Sequence, residues 1–251
     1  MEQQDPTDWF VTAFGELYPL LYAHRDDQAA ARELAGLAAL LGRPLAGARA
    51  LDLGCGVGRH AEALAAAGTR LTGIDLSAPL LARAARRSAL AGRLVRGDMR
   101  SLPFGPVFDL VLNLFTSFGY FSGDEENEQV VREMARVLVT GGVLVIDHIH
   151  RERLLRDLVP EDVREEGGLV IRQCREIRGQ RIRKEIAVCW PDGRERRFVE
   201  DVRLYRPEEM AALLAAAGLA APRFYGSLAG APFGPDAPRM VVIAAKAAGR
   251  G

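Results

Sequence analysis

Cysteine is scarce in this chain, with three residues in 251: Cys55, Cys174 and Cys189. Their spacing makes neither a metal-ligand set nor a disulfide framework, which excludes a cysteine-built metal site and a stapled scaffold. Excess charge of either sign is missing too. Thirty-three Lys and Arg residues face 33 Asp and Glu, so no global field draws the chain to nucleic acid or to an anionic membrane. No apolar run approaches the roughly 18 residues of a membrane span, and the opening MEQQDPTDWF lacks the basic region and apolar core of a secretory signal. The expectation is a cytoplasmic protein with no membrane partner. What the chain does have is apolar content, 49% over 251 residues, enough for one α/β domain with an insertion.

The most informative stretch is ARALDLGCGVGRHAEALAAAG, Ala48 to Gly68. It reads as a buried strand ending at Leu51 to Leu53, a turn carrying Gly54, Gly56 and Gly58, and a helix rich in alanine. Glycines at alternating positions remove the Cβ atoms that would block a ligand, and the following helix offers unpaired N–H groups. The turn is a cradle for a nucleotide-type cofactor. A dinucleotide fingerprint G-x-G-x-x-G fits only in part, because Arg59 holds the place of the third glycine. Asp52 at the strand end suits a cationic group and opposes a pyrophosphate.

Three more cues follow. TRLTGIDLS, Thr69 to Ser77, is a second strand ending in Asp75, whose carboxylate can accept from both hydroxyls of a ribose. The same residue, or Ser77, can instead cap a helix from Pro79 to Leu90. LVRGDMRSLPF, Leu94 to Phe104, carries Asp98 and Met99 at the end of a third strand. FDLVLNLFTSFGYF, Phe108 to Phe121, is a fourth strand opening into an aromatic loop, and VLVTGGVLVID, Val137 to Asp147, leads into a fifth.

The pattern Asp52-x-Gly54-x-Gly56-x-Gly58 and the order of these cues resemble the class I S-adenosylmethionine (SAM) dependent methyltransferases, over roughly Ala48 to Asp147. The resemblance implies a doubly wound, seven-stranded Rossmann-like α/β sheet and SAM as cofactor, with S-adenosylhomocysteine as its product. It implies Asp98 on the adenine amino group and Met99 against the ring. The implied cofactor-binding set is Tyr22, Asp52, Gly54, Cys55, Gly56, Asp75, Leu76, Asp98, Met99, Asn113 and Leu114. No metal is implied. The N-terminal tyrosine-bearing segment, an insertion after the fifth strand and the phrase LFTSFGYF also resemble the antibiotic deoxysugar N,N-dimethyltransferases, although no histidine sits inside that loop here.

Trp9, Phe10, Phe14, Leu17, Tyr18, Leu21 and Tyr22 recur at helical spacing, with Pro19 breaking the run into two short helices. A helix then follows Asp27 to about Leu41. In the family such a segment folds over the cofactor, which makes residues 1–42 a helical lid and Tyr18, Tyr22, His24 and Arg25 candidate contacts. Residues 43–160 form the SAM-binding core, 161–206 an antiparallel meander of three extended segments (LVIRQCREI, RIRKEIAVCW and RERRFVEDVRLY), and 207–251 the rest of the core. In the meander, Ile182, Lys184, Ile186, Val188 and Trp190 alternate, so one face is apolar and one wet. Its twelve Lys and Arg against eight acids between Arg164 and Arg206 read as that wet face rather than as an RNA surface. A hairpin at Gly179-Gln180 pairs Cys174 with Glu185 and Cys189 with Val170, which keeps the two thiols apart. A helix from Pro207 to Ala217, closed by Gly218, precedes the two final strands AAPRFYG and RMVVIAAK.

The expected activity is methyl transfer to an N or O atom of a small molecule by in-line displacement, in a monomer or homodimer. Phe115, Phe118, Tyr120 and Phe121 offer a dry pocket for it. Tyr18, Phe118, Tyr120, Phe233 and Arg239 are the substrate candidates. His148, better placed than His150, and Tyr120 are the catalytic candidates, the histidine as general base. Other readings stay open: a SAM-binding regulatory protein without catalysis, an RNA methyltransferase, and an NAD-dependent oxidoreductase, which leaves Asp52 and Asp98 without a role.

Overall fold

The structure is a computed structural model that describes residues 9–15, 17–22 and 26–247. Strands β1 (Arg49–Leu53), β2 (Arg70–Asp75), β3 (Leu94–Arg96), β4 (Phe108–Asn113) and β5 (Leu138–Ile149) are parallel neighbours. Far along the chain, β10 (Leu219–Tyr225) and β11 (Arg239–Lys246) complete a seven-stranded sheet in the order β10-β11-β5-β4-β1-β2-β3, with β11 antiparallel to β5. The parallel strands are apolar without alternation because helices cover both faces. On one face Leu34 and Leu37 of α3 (Asp27–Leu41) and Leu64 of α4 (Arg59–Ala66) pack on Ala50, Leu110 and Leu112. On the other, Met134 of α6 (Asp124–Val137) and Met210 and Leu214 of α8 (Pro207–Ala216) pack on Leu51, Val111 and Ile146. Strand order reverses between β1 and β4, which opens a crevice at their carboxyl ends, where such sheets bind ligands.

The meander has four strands, not three: β6 (Glu161–Glu166), β7 (Leu169–Arg178), β8 (Arg181–Cys189) and β9 (Glu195–Arg203), paired in that order. β6 reads EDVREE, with one apolar residue, Val163, that is itself exposed. An edge strand without a buried face leaves no periodicity to read, and its charges protect the edge. The register across the hairpin is the expected one, with Cys174 opposite Glu185 and Cys189 opposite Val170.

The N-terminal aromatic run forms α1 (Trp9–Ala13) and α2 (Tyr18–Leu21). The break falls before Pro19, which sits in the first turn of α2, where a missing N–H costs nothing. Leu21 is buried on the meander against Ile171, Ile186, Val188 and Phe198. Helix α3 is different. Asp26 caps it by accepting from the Ala29 amide at 2.6 Å, one residue earlier than the sequence suggests, and its leucines lie in the sheet core. Among the described N-terminal residues, Phe10, Phe14 and Tyr18 line the crevice and none of α3 does, so the expected lid of residues 1–42 is shorter than drawn. His24 and Arg25 lie outside the described residues. Among the described residues, no helix is long and apolar enough to cross a membrane.

Because α2 is held largely by Leu21, Leu21→Ala is expected to free the lid locally rather than unfold the domain. Hydrogen exchange at residues 17–22 should accelerate at least tenfold while Tm moves by only a few degrees. A large Tm loss with unchanged local exchange would show that α2 belongs to the cooperative core.

Candidate cofactor cleft

The glycine turn is tied to the end of β2. Gly54 N–H donates to Ile74 O at 2.8 Å, and Asp75 accepts Gly56 N–H at Oδ2 and Ser77 N–H at Oδ1, each at 2.8 Å. Asp75 therefore does not cap the helix that follows, α5 (Ala78–Ala84). Ser77 does, its hydroxyl accepting from Leu80 N–H. Gly54 has φ 78°, and a Cβ there would fall 2.8 Å from the Cβ of Ser117. At Gly58, φ 81°, it would fall 2.5 Å from a Leu90 methyl. Both positions need glycine for conformation and for space.

Above the turn lies a cleft of about 660 Å³, counting its open mouth, with Asp75, Leu76, Asp98 and Met99 on one wall. Lid rings Phe10, Phe14 and Tyr18 face Tyr120 and Phe121 on the other. Phe14 stacks on Tyr120 at 5.4 Å, the Trp9 indole N–H donates to Tyr120 O at 3.2 Å, and the Ser77 hydroxyl donates to Phe14 O at 2.6 Å. Burial raises the pKa of Asp75, against the pull of its backbone donors. Burial acts the same way on Asp98, but Arg100 outweighs it: the guanidinium binds both carboxylate oxygens and holds the pKa below the usual value. Arg100 reaches on to Glu126 at 2.6 Å. Asp98 thus reaches the cleft as a carboxylate that already has a partner, a sharing its sequence position does not show.

A second chamber opens beyond the turn, and Tyr18, Gly54, Gly56 and Ser117 border both. Asp52 lines it, 2% exposed, with Oδ2 buried and lacking any hydrogen-bond partner. Burial pushes its pKa up to about 6, with nearby His60 pulling the other way. A buried oxygen without a partner, on a residue that lines a chamber, is what a cationic ligand group could satisfy. Cys55 and Leu114 also line this chamber, and burial raises the Cys55 thiol pKa far enough to keep it inert. His60, on the opposite wall, pairs with Glu33 at 2.7 Å. Neither residue stood out in the sequence. The one signal was a histidine directly after the glycine turn, on the first turn of α4.

Several expected contacts lie elsewhere. Tyr22 turns to the meander, its hydroxyl donating to Glu200 and accepting from Lys184. Asn113 is buried and braces the loop, its amide donating to Leu53 O and Ser117 O. Phe118 is fully buried behind the cleft wall, stacked on Tyr205 at 5.2 Å. His148 is buried with it, and burial drives its pKa down to about 4. It is neutral at pH 7 but does not line the cleft, so it is not placed to take a proton from an acceptor. His150 bonds Ala237 O, and Phe233 packs on the His150 ring rather than at the cleft. Arg239 pairs with Asp147 at 2.7 Å and reaches the chamber only through Phe115, whose ring lies 5.7 Å from the guanidinium carbon.

Comparison with known proteins agrees with this geometry. Residues 50–142 match a methyltransferase domain family. Over 213 residues the chain is 32% identical to the dTDP-3-amino-3,4,6-trideoxy-alpha-D-glucopyranose N,N-dimethyltransferase of Streptomyces venezuelae, covering 81% of this chain and 89% of that one. It is similar in structure to the sugar N-methyltransferase KedS8 from Streptoalloteichus, with 28% identity, 99% and 97% of the two chains covered and a TM-score of 0.73. It is also similar to SAM-bound CalS10, an amino pentose methyltransferase from Micromonospora echinaspora, with 26% identity, 92% and 97% coverage and a TM-score of 0.68. With these matches, the glycine turn and the strand order in place, the chain belongs to the class I methyltransferases that use S-adenosylmethionine.

Proposed function

We propose that this enzyme methylates an amine of a small-molecule acceptor, an amino sugar carried on a nucleotide, and releases S-adenosylhomocysteine. The observation that carries the placement of the cofactor is the unpartnered Oδ2 of buried Asp52, a residue that lines the chamber beside the glycine turn. The amine follows from the sugar N-methyltransferases to which the chain is similar over most of its length. The same reading places the enzyme in the cytoplasm, as a monomer or homodimer.

Each Asp75 oxygen has one lone pair committed to a backbone N–H and another left for a ribose hydroxyl. Asp98 would take the adenine amino group beside its bond to Arg100, Met99 would pack on the ring, and Asp52 would take the ammonium of the amino-acid end. SAM bound there supplies a methyl on a cationic sulfur, so attack by a neutral amine cancels the charge. The chain then has to orient and to exclude water. Holding nucleophile and methyl in line is worth up to about 7–11 kcal/mol, and the rings of Phe14, Tyr120 and Phe121 form the dry wall. Tyr120 acts as part of that wall. With His148 buried, the acceptor enters as the free amine and its proton leaves to solvent.

Calorimetry is expected to show binding of SAM and S-adenosylhomocysteine but not NAD, and mass spectrometry a gain of one or two methyl groups on a dTDP-linked amino sugar. Binding of NAD alone would falsify the assignment. Asp75→Ala should weaken SAM at least tenfold, since hydrogen bonds to a charged group contribute about 1.5–3 kcal/mol each. Asp75→Asn keeps one acceptor and should lose less. An unchanged dissociation constant in both variants removes the ribose role.

Asp52 generates a third expectation, on stability. Its native pKa lies above the unfolded value, so it favours folding below about pH 4 and loses that contribution as pH rises to about 6. Above that the free protein bears the buried charge, about 3 kcal/mol at 1.36 kcal/mol per pKa unit. Asp52→Asn should raise Tm of the free protein by several degrees at pH 7.5, do little at pH 4, and weaken SAM binding. A lower Tm at pH 7.5 would mean that the carboxylate has a partner in solution.

A further inference from the structure

The second chamber has walls of opposite charge. Asp52, whose buried Oδ2 lacks a partner, lines it from the β1 side, and His60 and Arg59 line it from α4. Phe115 lies against both of the latter, its ring 5.5 Å from the imidazole and 5.1 Å from the Arg59 guanidinium carbon. His60 is 7% exposed, and its orientation is set from outside the chamber by Glu33 on α3, whose Oε2 lies 2.7 Å from Nε2. An ionised carboxylate only accepts, so Nε2 carries a proton and Nδ1 is the nitrogen left for a ligand.

A carboxylate facing an imidazole and a guanidinium across one chamber complements an α-amino acid, ammonium toward Asp52 and carboxylate toward His60 and Arg59. We infer that the Glu33–His60 pair receives the carboxylate of the cofactor's amino-acid end and so selects the cofactor and its product over adenosyl thioethers that lack that end. The inference rests on the proposed seating of the adenosine on Asp75. In the bound state the imidazole would lie between two carboxylates, one from the protein and one from the ligand. Glu33 is a positioning residue, since it acts only through His60. A ligand carboxylate therefore helps to hold α3 against α4, next to the point where the lid joins the core.

S-adenosylhomocysteine and 5′-methylthioadenosine share the adenosine and the thioether and differ in the amino-acid end, which makes them the discriminating pair. Calorimetry with both ligands on the wild type, His60→Ala, Glu33→Ala and Asp75→Ala is the test. For His60→Ala, S-adenosylhomocysteine should weaken at least tenfold and 5′-methylthioadenosine less than twofold. Glu33→Ala should show the same selectivity with a severalfold loss, and Asp75→Ala should weaken both ligands together. Equal losses for the two ligands in His60→Ala, or no loss in either, would overturn the inference and leave His60 as packing for Phe115. Should His60→Ala not fold, Glu33→Ala, on a partly exposed side chain, decides alone, and an unchanged ratio of the two affinities overturns it. If Asp75→Ala spares both ligands, what fails is the seating of the adenosine.

Discussion

The clamp made by the Asp75 carboxylate positions the rest of the cleft. One oxygen holds the Gly56 amide and the other the Ser77 amide, so a single side chain joins the glycine turn after β1 to the start of α5 after β2. From there a chain of polar links runs outward. Ser77 caps α5 and also donates to Phe14 O in the lid, Phe14 stacks on Tyr120, and the Tyr120 carbonyl receives the Trp9 indole and the Arg181 guanidinium. Arg181 in turn pairs with Asp201 inside the meander. The cofactor turn, the lid and the inserted sheet are therefore held to one another through loop backbone, and displacement of the turn would be felt at the far wall.

Unfavourable terms collect on the same edge of the sheet. Asp52 carries a buried oxygen without a partner, and Phe115 and Thr116 hold positive φ of 55° and 62° in the loop after β4. Strain of that kind costs about 1–3 kcal/mol for each residue and persists only where the surroundings enforce it. Here they do: the Asp147 carboxylate accepts the Phe115 amide, its carbonyl accepts the Thr116 amide, and Arg239 bridges Asp147 to the Thr116 hydroxyl. Stability given up at Asp52 and in this loop, on one edge of the sheet, is the usual trade at a binding site.

Which features were legible in the sequence follows from the range of the forces behind them. The parallel strands, the turn, the clamp residue and the hairpin register are set by local pattern, by burial on both faces or by glycine at positive φ. β6 left no trace because its only apolar residue faces solvent. Tyr22, Phe118, Asp98 and His148 were assigned by position along the chain, yet their surroundings are chosen by partners far away: Lys184 and Glu200 for Tyr22, Tyr205 for Phe118 and His148. Asp98 has a partner only two residues on, Arg100, but nothing in the run Gly97 to Arg100 says that the guanidinium folds back instead of reaching solvent. The Glu33–His60 pair joins two helices through residues 27 apart in the chain, a separation no motif records.

The division of labour along the chain has a structural cause. The family match ends at residue 142, before the meander begins at Glu161. The matched part holds β1 to β4, the Asp75 and Asp98 side of the cleft and Asp52 in the chamber beyond the turn. The wall facing them is assembled differently. Gly119 O accepts from the Arg203 amide, and Arg181 binds the carbonyls of Gly119, Tyr120 and Phe121, so the meander sets the backbone of the aromatic loop. The lid then supplies Trp9, Phe10 and Phe14 against that loop. A change of acceptor therefore has to pass through lid and meander together, because the loop between them is held by main-chain bonds from one side and ring packing from the other. The wall of Asp75 and Asp98 can stay constant while that composite wall is remodelled, since the two face each other across the cleft and touch at the Ser77–Phe14 bond and where Arg100 lies over the rings of Phe10 and Phe121.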